Sequence, residues 1–286
     1  MDHAIVIMAL LVVVALIFDF MNGFHDAANS VALMVSTRLL TPQAAVVWAA
    51  FFNLIAFLFF GLHVANTVGK GIINKEIIDN AVIFGALSGA ISWNLITWWF
   101  GIPSSSSHAL VGGLVGAGVA KAGPSAIVAA GLIKTSVAII LSPLFGMLLA
   151  LILMILVLWI VEKRSPYPTE RVFNKLQFIS SSLYSLGHGG NDAQKTMGMG
   201  ITRIRPSGGF CAQTSGAIAL FIATSLGIPV STTHTITGAI IGVGLSRRVS
   251  SVRLGLASRI IWAWVLTIPC AGLLAAASYH FGKAFL

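Results

Sequence analysis

Two polar stretches in an otherwise apolar sequence carry the residue types that do chemistry. The first is Asn22-Gly23-Phe24-His25-Asp26-Ala27-Ala28-Asn29, which closely follows a charge-free apolar run from Ala4 to Phe18. The second is Gly187-His188-Gly189-Gly190-Asn191-Asp192-Ala193-Gln194-Lys195, in the other half of the chain. Aspartate, histidine and asparagine beside membrane-grade sequence are costly unless paired, hydrated or used. A carboxylate there can bind a sodium ion, accept a proton or hold a basic side chain. Asn22, His25, Asp26 and Asn29 form the first candidate set for a coupling ion or proton, and His188, Asn191 and Asp192 form the second. His25 and His188 titrate near neutral pH when unperturbed, and a structural hydrogen bond is the plain alternative for each. Lys195 either attracts an anion or neutralises Asp192. Asp26 and Asn29 lie one turn apart and would share a helix face, so 3–37 reads as one broken crossing.

A second pair of motifs has a different character. Gly101-Ile102-Pro103 leads into Ser104, Ser105, Ser106, Ser107 and His108, and Gly227-Ile228-Pro229-Val230 leads into Ser231, Thr232, Thr233 and His234. Each histidine stands five positions after its proline, and each is followed 35 residues later by another proline, Pro143 or Pro269. Glycines follow both motifs, at Gly112, Gly113, Gly116 and Gly118, and at Gly238, Gly242 and Gly244. This is an internal repeat. A helix that restarts inside a membrane presents unbonded backbone N–H groups and a positive dipole end. Serine and threonine hydroxyls add donors without charge, which suits phosphate or another oxyanion. Ser104, Ser105, Ser106, Ser107, Ser231, Thr232, Thr233 and Lys195 are therefore the candidate substrate contacts. As a plainer reading, the hydroxyls are loop and cap residues. His108 and His234 read as helix-positioning donors.

The elements that would hold these residues are membrane helices. Of the 286 residues 57% are hydrophobic and only 9% charged, with a mean hydropathy of +0.94. Soluble domains carry about 25% charged residues. Candidate spans are 3–20, 42–64, 81–100, 104–120, 137–160, 176–199, 209–226, 230–245 and 257–279. They are too long for barrel strands, too many for a signal peptide, and several are short or broken. The fold class expected is an all-α polytopic membrane protein with inverted repeats and discontinuous or re-entrant helices. The net charge of +9 does not point to nucleic acid, because the bases cluster between apolar segments. Lys163, Arg164, Arg171 and Lys175, then Arg203 and Arg205, then Arg247, Arg248, Arg253 and Arg259 fit cytoplasmic loops. Trp98-Trp99-Phe100 fits an interfacial belt. Cys211 and Cys270 lie in apolar segments, which argues against a disulfide framework or a zinc site.

The repeats divide the chain into 1–160, a cytoplasmic linker 161–175, and a shorter second repeat 176–286. Basic residues flank the second hairpin on both sides, whereas 66–80 and 121–134 around the first are poorer in clustered base. Opposite flanks imply opposite orientations, the inverted arrangement common among secondary transporters.

Gly23-Phe24-His25-Asp26-Ala27-Ala28-Asn29, Gly189-Gly190-Asn191-Asp192 with Ala193-Gln194-Lys195-Thr196-Met197-Gly198, and the two hydroxyl runs resemble the inorganic phosphate transporter (PiT, Pho4-type) family. The first motif has His25 where the family usually has asparagine. The Phe-His-Asp and Gln-Lys variants are similar to its bacterial low-affinity branch. The resemblance covers nearly the whole chain. It implies uptake of inorganic phosphate by cation symport across the bacterial inner membrane, with substrate between the halves near the midplane. It implies no enzymatic activity and no cofactor. Proton coupling, including co-transport of a divalent metal–phosphate complex, is the expectation from His25; sodium coupling is the alternative. A homodimer in lipid is implied by the family, and no nucleic-acid partner.

One departure stands out. Asp26 to His108 is 82 residues but Asp192 to His234 is 42, so the second copy is shorter by 40, and segment 42–64 has no counterpart in it. Lys195-Thr196-Met197-Gly198 runs straight into Met199-Gly200-Ile201-Thr202-Arg203, as though two strings had been joined by a deletion. Arg171 with Lys175 and Arg203 with Arg205 should all be cytoplasmic, yet only 176–199 lies between them. That segment must be re-entrant, or the downstream half must invert against its charge. Competing readings are a sulfate or other oxyanion carrier, a transport-inactive remnant needing a partner, a channel, and a membrane hydrolase. The last has no nucleophile–base motif to support it.

Overall fold

The computed structural model describes residues 3–58, 71–162, 164–191, 206–246 and 254–286. Among them the regular elements are helices, with one isolated antiparallel bridge between Ile73 and Ile127. The α-helices are α1 (His3–Ser36), α2 (Pro42–Ile55), α3 (Asn80–Trp99), α4 (Ser106–Ala122), α5 (Ala129–Val161), α6 (Pro166–Asn191), α7 (Pro206–Ser225), α8 (Thr232–Leu245) and α9 (Leu254–Gly282). Ile5–Gly23 of α1, all of α3 and α5, and Ile260–Gly282 of α9 are long and apolar enough to cross a membrane. The fold is all-α and polytopic.

The repeat governs the element boundaries. Helices α3 and α7 are each 20 residues long. They start at Asn80 and Pro206, 126 positions apart, the same interval that separates His108 from His234 and Pro143 from Pro269.

The expectation of a broken crossing over 3–37 does not hold, because α1 is a continuous helix over His3–Ser36. The reason lies in the sequence. Nothing between His3 and Ser36 is a proline, and the one glycine, Gly23, costs a helix only about 1 kcal/mol. The chain leaves α1 through Arg38 at φ 58° and restarts at Thr41. Its hydroxyl accepts the Ala44 N–H, and Pro42 follows in the first turn, where no N–H is missed.

The topology conflict bears on the direction of α6 and α7. Helix α6 is unbroken from Pro166 to Asn191. It packs on α7 with numbering rising together: Gly209 lies against Gln177, Gly216 against Tyr184, and Gly187 against Leu220. The two helices are therefore parallel. The end of α6 that carries Arg171 and Lys175 is also the end at which α7 begins; residues 192–205, which join the two helices, lie outside the described residues. Arg203 and Arg205 themselves lie outside the described residues.

The chain packs as two compact units, each drawn from both sequence halves. The first takes Met1–His25, Val64–Ser136 and Arg259–Leu286, and the second Asp26–His63 and Val137–Ser258.

In the first unit α3 and α4 form a hairpin clasped by α9. Gly85 and Gly89 of α3 lie against Tyr279 and Ala275, and Gly112 and Gly116 of α4 lie against the Ile268 and Gly272 backbone. The core there holds Ile72, Ile73, Val82, Val111 and Tyr279. Trp98, Trp99 and Phe100 are exposed at the hairpin's turn. Its mouth is closed by pairing of the flanking segments, Asn74 N–H to the Ala126 carbonyl at 2.9 Å and Val128 N–H to that of Ile72 at 3.0 Å. Lys121 Nζ donates to Asp79 Oδ2 at 2.5 Å and to the Ile77 carbonyl at 2.7 Å. Asp79 also caps α3, accepting the Val82 N–H at 2.9 Å.

Partial burial works to raise the Asp79 pKa, but the Lys121 hydrogen bond and charge and the Val82 N–H outweigh it and hold the carboxyl below its ordinary value. Its stabilising contribution is thus present above about pH 4, the unfolded carboxyl range, and is lost as pH falls through the lower folded value. Both side chains are partly exposed, so screening keeps the ion pair's share small. We predict that Asp79→Ala destabilises by about 1 kcal/mol through the lost cap. Asp79→Asn, which can still accept at the cap, should lose less. Thermal melts of the purified protein at neutral pH check the order.

In the second unit α6 is the hub. Trp48 Nε1 of α2 donates to Ser182 Oγ at 3.1 Å. Gly189 lies against Asn53 and Ala56. Gly238 and Gly242 of α8 lie against the Pro143 and Met147 carbonyls of α5, and Gly146 against Thr235. The core is built from Tyr184, Leu220, Ile236, Ile240 and Met154.

Candidate functional site

Both Gly-Ile-Pro motifs form the tight tips of helical hairpins. Gly101 and Gly227 take left-handed φ values of 62° and 61°, a region open to glycine at no steric cost. At each turn the isoleucine N–H bonds back into the preceding helix, Ile102 to the Thr97 carbonyl at 2.7 Å and Ile228 to that of Ala223 at 2.9 Å. The chain then runs extended for a few residues before α4 or α8 begins. Ser105 Oγ accepts the His108 N–H at 3.2 Å, and Ser231 Oγ accepts the His234 N–H at the same distance. These are matched N-caps. They place two of the candidate hydroxyls in the role of helix caps.

The other hydroxyls divide by partner. In the first unit Ser104 Oγ donates to Thr97 Oγ1 at 2.9 Å, and Ser106 Oγ donates to Asn22 Oδ1 at 2.5 Å. Asn22 of α1 is thereby joined to the hairpin tip in the first unit, an association between residues 84 positions apart. In the second unit Thr232 Oγ1 and Thr233 Oγ1 are fully buried and have no hydrogen-bond partner among the described residues. All of Ser104–Ser107 and Ser231–Thr233 are buried, as are His108 and His234. Buried hydroxyls at a helix N-terminus can donate to an oxyanion without a compensating charge.

His188 is buried on α6, and its Nδ1 lies 3.0 Å from Asn53 Oδ1 of α2. Asn191 ends α6. Asp192 and Lys195 lie outside the described residues, as do the side chains of His25, Asp26, Asn29 and Asn191; the backbone of 25–29 is helical.

Several buried polar groups escaped the sequence reading. Helix α6 turns Gln177, Ser181 and Ser185 inward on the same side as the already expected His188, while Val172, Ile179 and Leu183 face out. That is amphipathicity with the polar stripe inside, and its spacing of three and four was the available signal. Gln213 and Ser215 of α7 and Asn94 of α3 are also fully buried, with side-chain atoms that have no partner among the described residues.

The fold and these two matched tips define a polytopic membrane protein whose buried polar groups cluster at repeated helix breaks. Comparison with known proteins gives the family. A family model described as "Phosphate transporter family" matches residues 22–169 and 194–275, and the chain belongs to that family. It is 56% identical over 315 aligned positions to a probable low-affinity inorganic phosphate transporter of Rhizobium meliloti, covering 94% of each chain. It is 38% identical over 327 positions to a protein of the same description from Bacillus subtilis, covering 98% of each. Both alignments exceed the 286 residues present here, so both relatives carry residues that this chain lacks. A solved structure called the sodium-dependent phosphate transporter shares the fold, with a TM-score of 0.87 at 24% identity over 98% of this chain and 100% of that one. The family is one of transporters, not enzymes, and the chain is a multi-pass protein of the bacterial inner membrane. Among the described residues no group of His, Cys, Asp or Glu could hold a metal ion.

Proposed function

We propose that this protein moves inorganic phosphate across the membrane, driven by the inward gradient of sodium. The observation that carries the substrate is the repeated tip, a glycine turn leading to a buried, hydroxyl-lined helix N-terminus once in each unit. The family and the relatives described as phosphate transporters support the same substrate. Ser104, Ser105, Ser106, Ser107, Ser231, Thr232, Thr233 and Lys195 are the proposed phosphate donors. Asn22, His25, Asp26, Asn29, His188, Asn191 and Asp192 are the proposed coupling residues. Residues 1–160 and 176–286 remain the proposed repeats, joined by 161–175.

Coupling is required on physical grounds. Each negative charge entering against the interior potential costs about 2.3 kcal/mol per 100 mV. The shared fold with a protein called sodium-dependent favours sodium over the proton expected from His25. Proton coupling is retained as a second reading because His25 stands where an amide would serve sodium.

Radiolabelled phosphate uptake into proteoliposomes tests this, with sodium and proton gradients imposed separately, with and without magnesium. The expected result is sodium-driven accumulation above equilibrium. In Asp26→Asn it should fall on the order of a hundredfold, the loss of a charge-assisted ligand worth about 3 kcal/mol. Accumulation driven by protons alone would overturn the coupling. Absence of uptake by folded protein would favour a partner-dependent form.

A further inference from the structure

Asn94 of α3 is fully buried, and neither its amide nitrogen nor its amide oxygen has a hydrogen-bond partner among the described residues. Burying an amide without partners is costly, so such groups are normally satisfied. The fold does not demand an amide at this place. The repeat interval of 126 maps Asn94 onto Leu220 of α7, which is fully buried in the core of the second unit.

What Asn94 lies beside follows from the hairpin register. Ser104 bonds to Thr97 and Gly113 lies against the Ala86 carbonyl, so α3 and α4 run antiparallel. Ala90 is then level with Ala109, and Asn94 with Ser105, the N-cap of α4. Ala90, Ala109 and Phe18 of α1 belong to one buried apolar cluster. One turn nearer the tip each helix becomes polar, at Asn94, Ser106 and Asn22. Ser106 Oγ donates to Asn22 Oδ1 within that layer. All of these residues belong to the first unit. An amide with an uncommitted donor and an uncommitted acceptor thus stands level with the N-terminus of α4, where backbone N–H groups begin unbonded.

We infer that Asn94 is a specificity-determining residue of this tip, reading the hydroxyl that phosphate carries and sulfate lacks, a role that rests on the proposed phosphate transport and deepens it. At neutral pH inorganic phosphate and arsenate keep a hydroxyl, whereas sulfate is fully ionised. Backbone N–H groups and donating side chains bind the oxygens of all three alike. Asparagine differs, because its Nδ2 donates while its Oδ1 can only accept. Nδ2 takes an ionised oxygen of phosphate, and Oδ1 takes the hydroxyl. Sulfate sets an oxygen lone pair against Oδ1 and leaves that atom buried and unpaired. A site built to pair a substrate hydroxyl rejects the analogue without it far more strongly than an apolar pocket can.

The test is equilibrium binding of phosphate, arsenate and sulfate to the full chain in detergent at neutral pH, with melting curves recorded alongside. Wild type should bind phosphate and arsenate and discriminate against sulfate. Asn94→Leu, which copies the residue at the repeat position, should melt without anion at or above the wild-type temperature. It should lower the preference for phosphate over sulfate on the order of tenfold, with arsenate following phosphate. Asn94→Ala, which cannot clash, should lower the preference equally. Folded variants that keep the wild-type preference, or that weaken phosphate and sulfate alike, would overturn the inference. Arsenate following sulfate would overturn it too, and so would collapse of both variants, which would show the amide to be held for the fold. A wild type that binds sulfate as tightly as phosphate, or binds neither, would instead overturn the phosphate reading and this inference with it.

Discussion

Gly116→Val and Gly242→Val are each expected to leave little or no folded protein. A Cβ at Gly116 would overlap the Gly272 carbonyl oxygen of α9, and a Cβ at Gly242 the Met147 carbonyl oxygen of α5. The obstacle in both cases is backbone on a neighbouring helix, which cannot turn aside as a side chain can. Ordinary overpacking costs about 1–3 kcal/mol. A clash with a packed helix axis should exceed that, against a total stability on the order of 5–15 kcal/mol. Even the alanine variants should melt early, because the methyl itself has no room. Gly123 gives the contrast. It takes φ +72°, but a Cβ there would meet nothing within 4 Å among the described residues, so Gly123→Ala should cost only about 1–2 kcal/mol of conformational strain. Size-exclusion profiles and melting of the detergent-purified variants decide it. A monodisperse Gly242→Val within about 2 °C of wild type would show that α5 and α8 do not pack this closely.

Those contacts show where the sequence was legible and where it was not. Gly-Ile-Pro followed by hydroxyls specified both hairpin tips, because a left-handed glycine, a proline and a capping serine are local requirements. The constant spacing to Pro143 and Pro269 specified that a proline-bearing helix follows each hairpin. It did not say which hairpin that helix would grip. In the structure Gly112 and Gly116, from the first half, meet α9 of the second half, and Gly238 and Gly242 meet α5 of the first. Each half thus lends its proline helix to the other half's hairpin, and nothing in the separation of two positions along a chain encodes that exchange. The direction of α6 relative to α7 was hidden for the same reason. Loop charges report on which side a helix begins, and the end of α6 that carries Arg171 and Lys175 is the end at which α7 begins. The choice between a re-entrant 176–199 and an inverted downstream half turns on residues 192–205, which lie outside the described residues. The break expected within 3–37 failed differently: Asp26 and Asn29 one turn apart were read as part of a broken crossing, but the same spacing fits an unbroken helix, and no proline interrupts His3–Ser36.

The second unit's tip gives the sharpest functional test, because stability and transport should move in opposite directions. Thr233 is buried beside the N-terminus of α8, and its hydroxyl has no hydrogen-bond partner among the described residues. A buried hydroxyl left without a partner costs the fold about 1–3 kcal/mol. Valine keeps the shape and removes the polar atom. Thr233→Val should therefore leave the phosphate-free protein as stable as wild type or more so, by up to about 1 kcal/mol. If the hydroxyl is kept for the substrate, the same change should lower phosphate uptake on the order of tenfold, the worth of a hydrogen bond to a charged group. Added phosphate should then raise the wild-type melting temperature more than that of the variant, by mass action. Ser106→Ala should behave otherwise. It removes the 2.5 Å hydrogen bond to Asn22, so both stability and uptake should fall. A Thr233→Val protein that melts early and still transports would mean that the hydroxyl supports the helix rather than the anion. In that case the donors at this tip are the backbone N–H groups of α8 alone, and the matching hydroxyls of the two repeats record how the tips fold rather than what they bind.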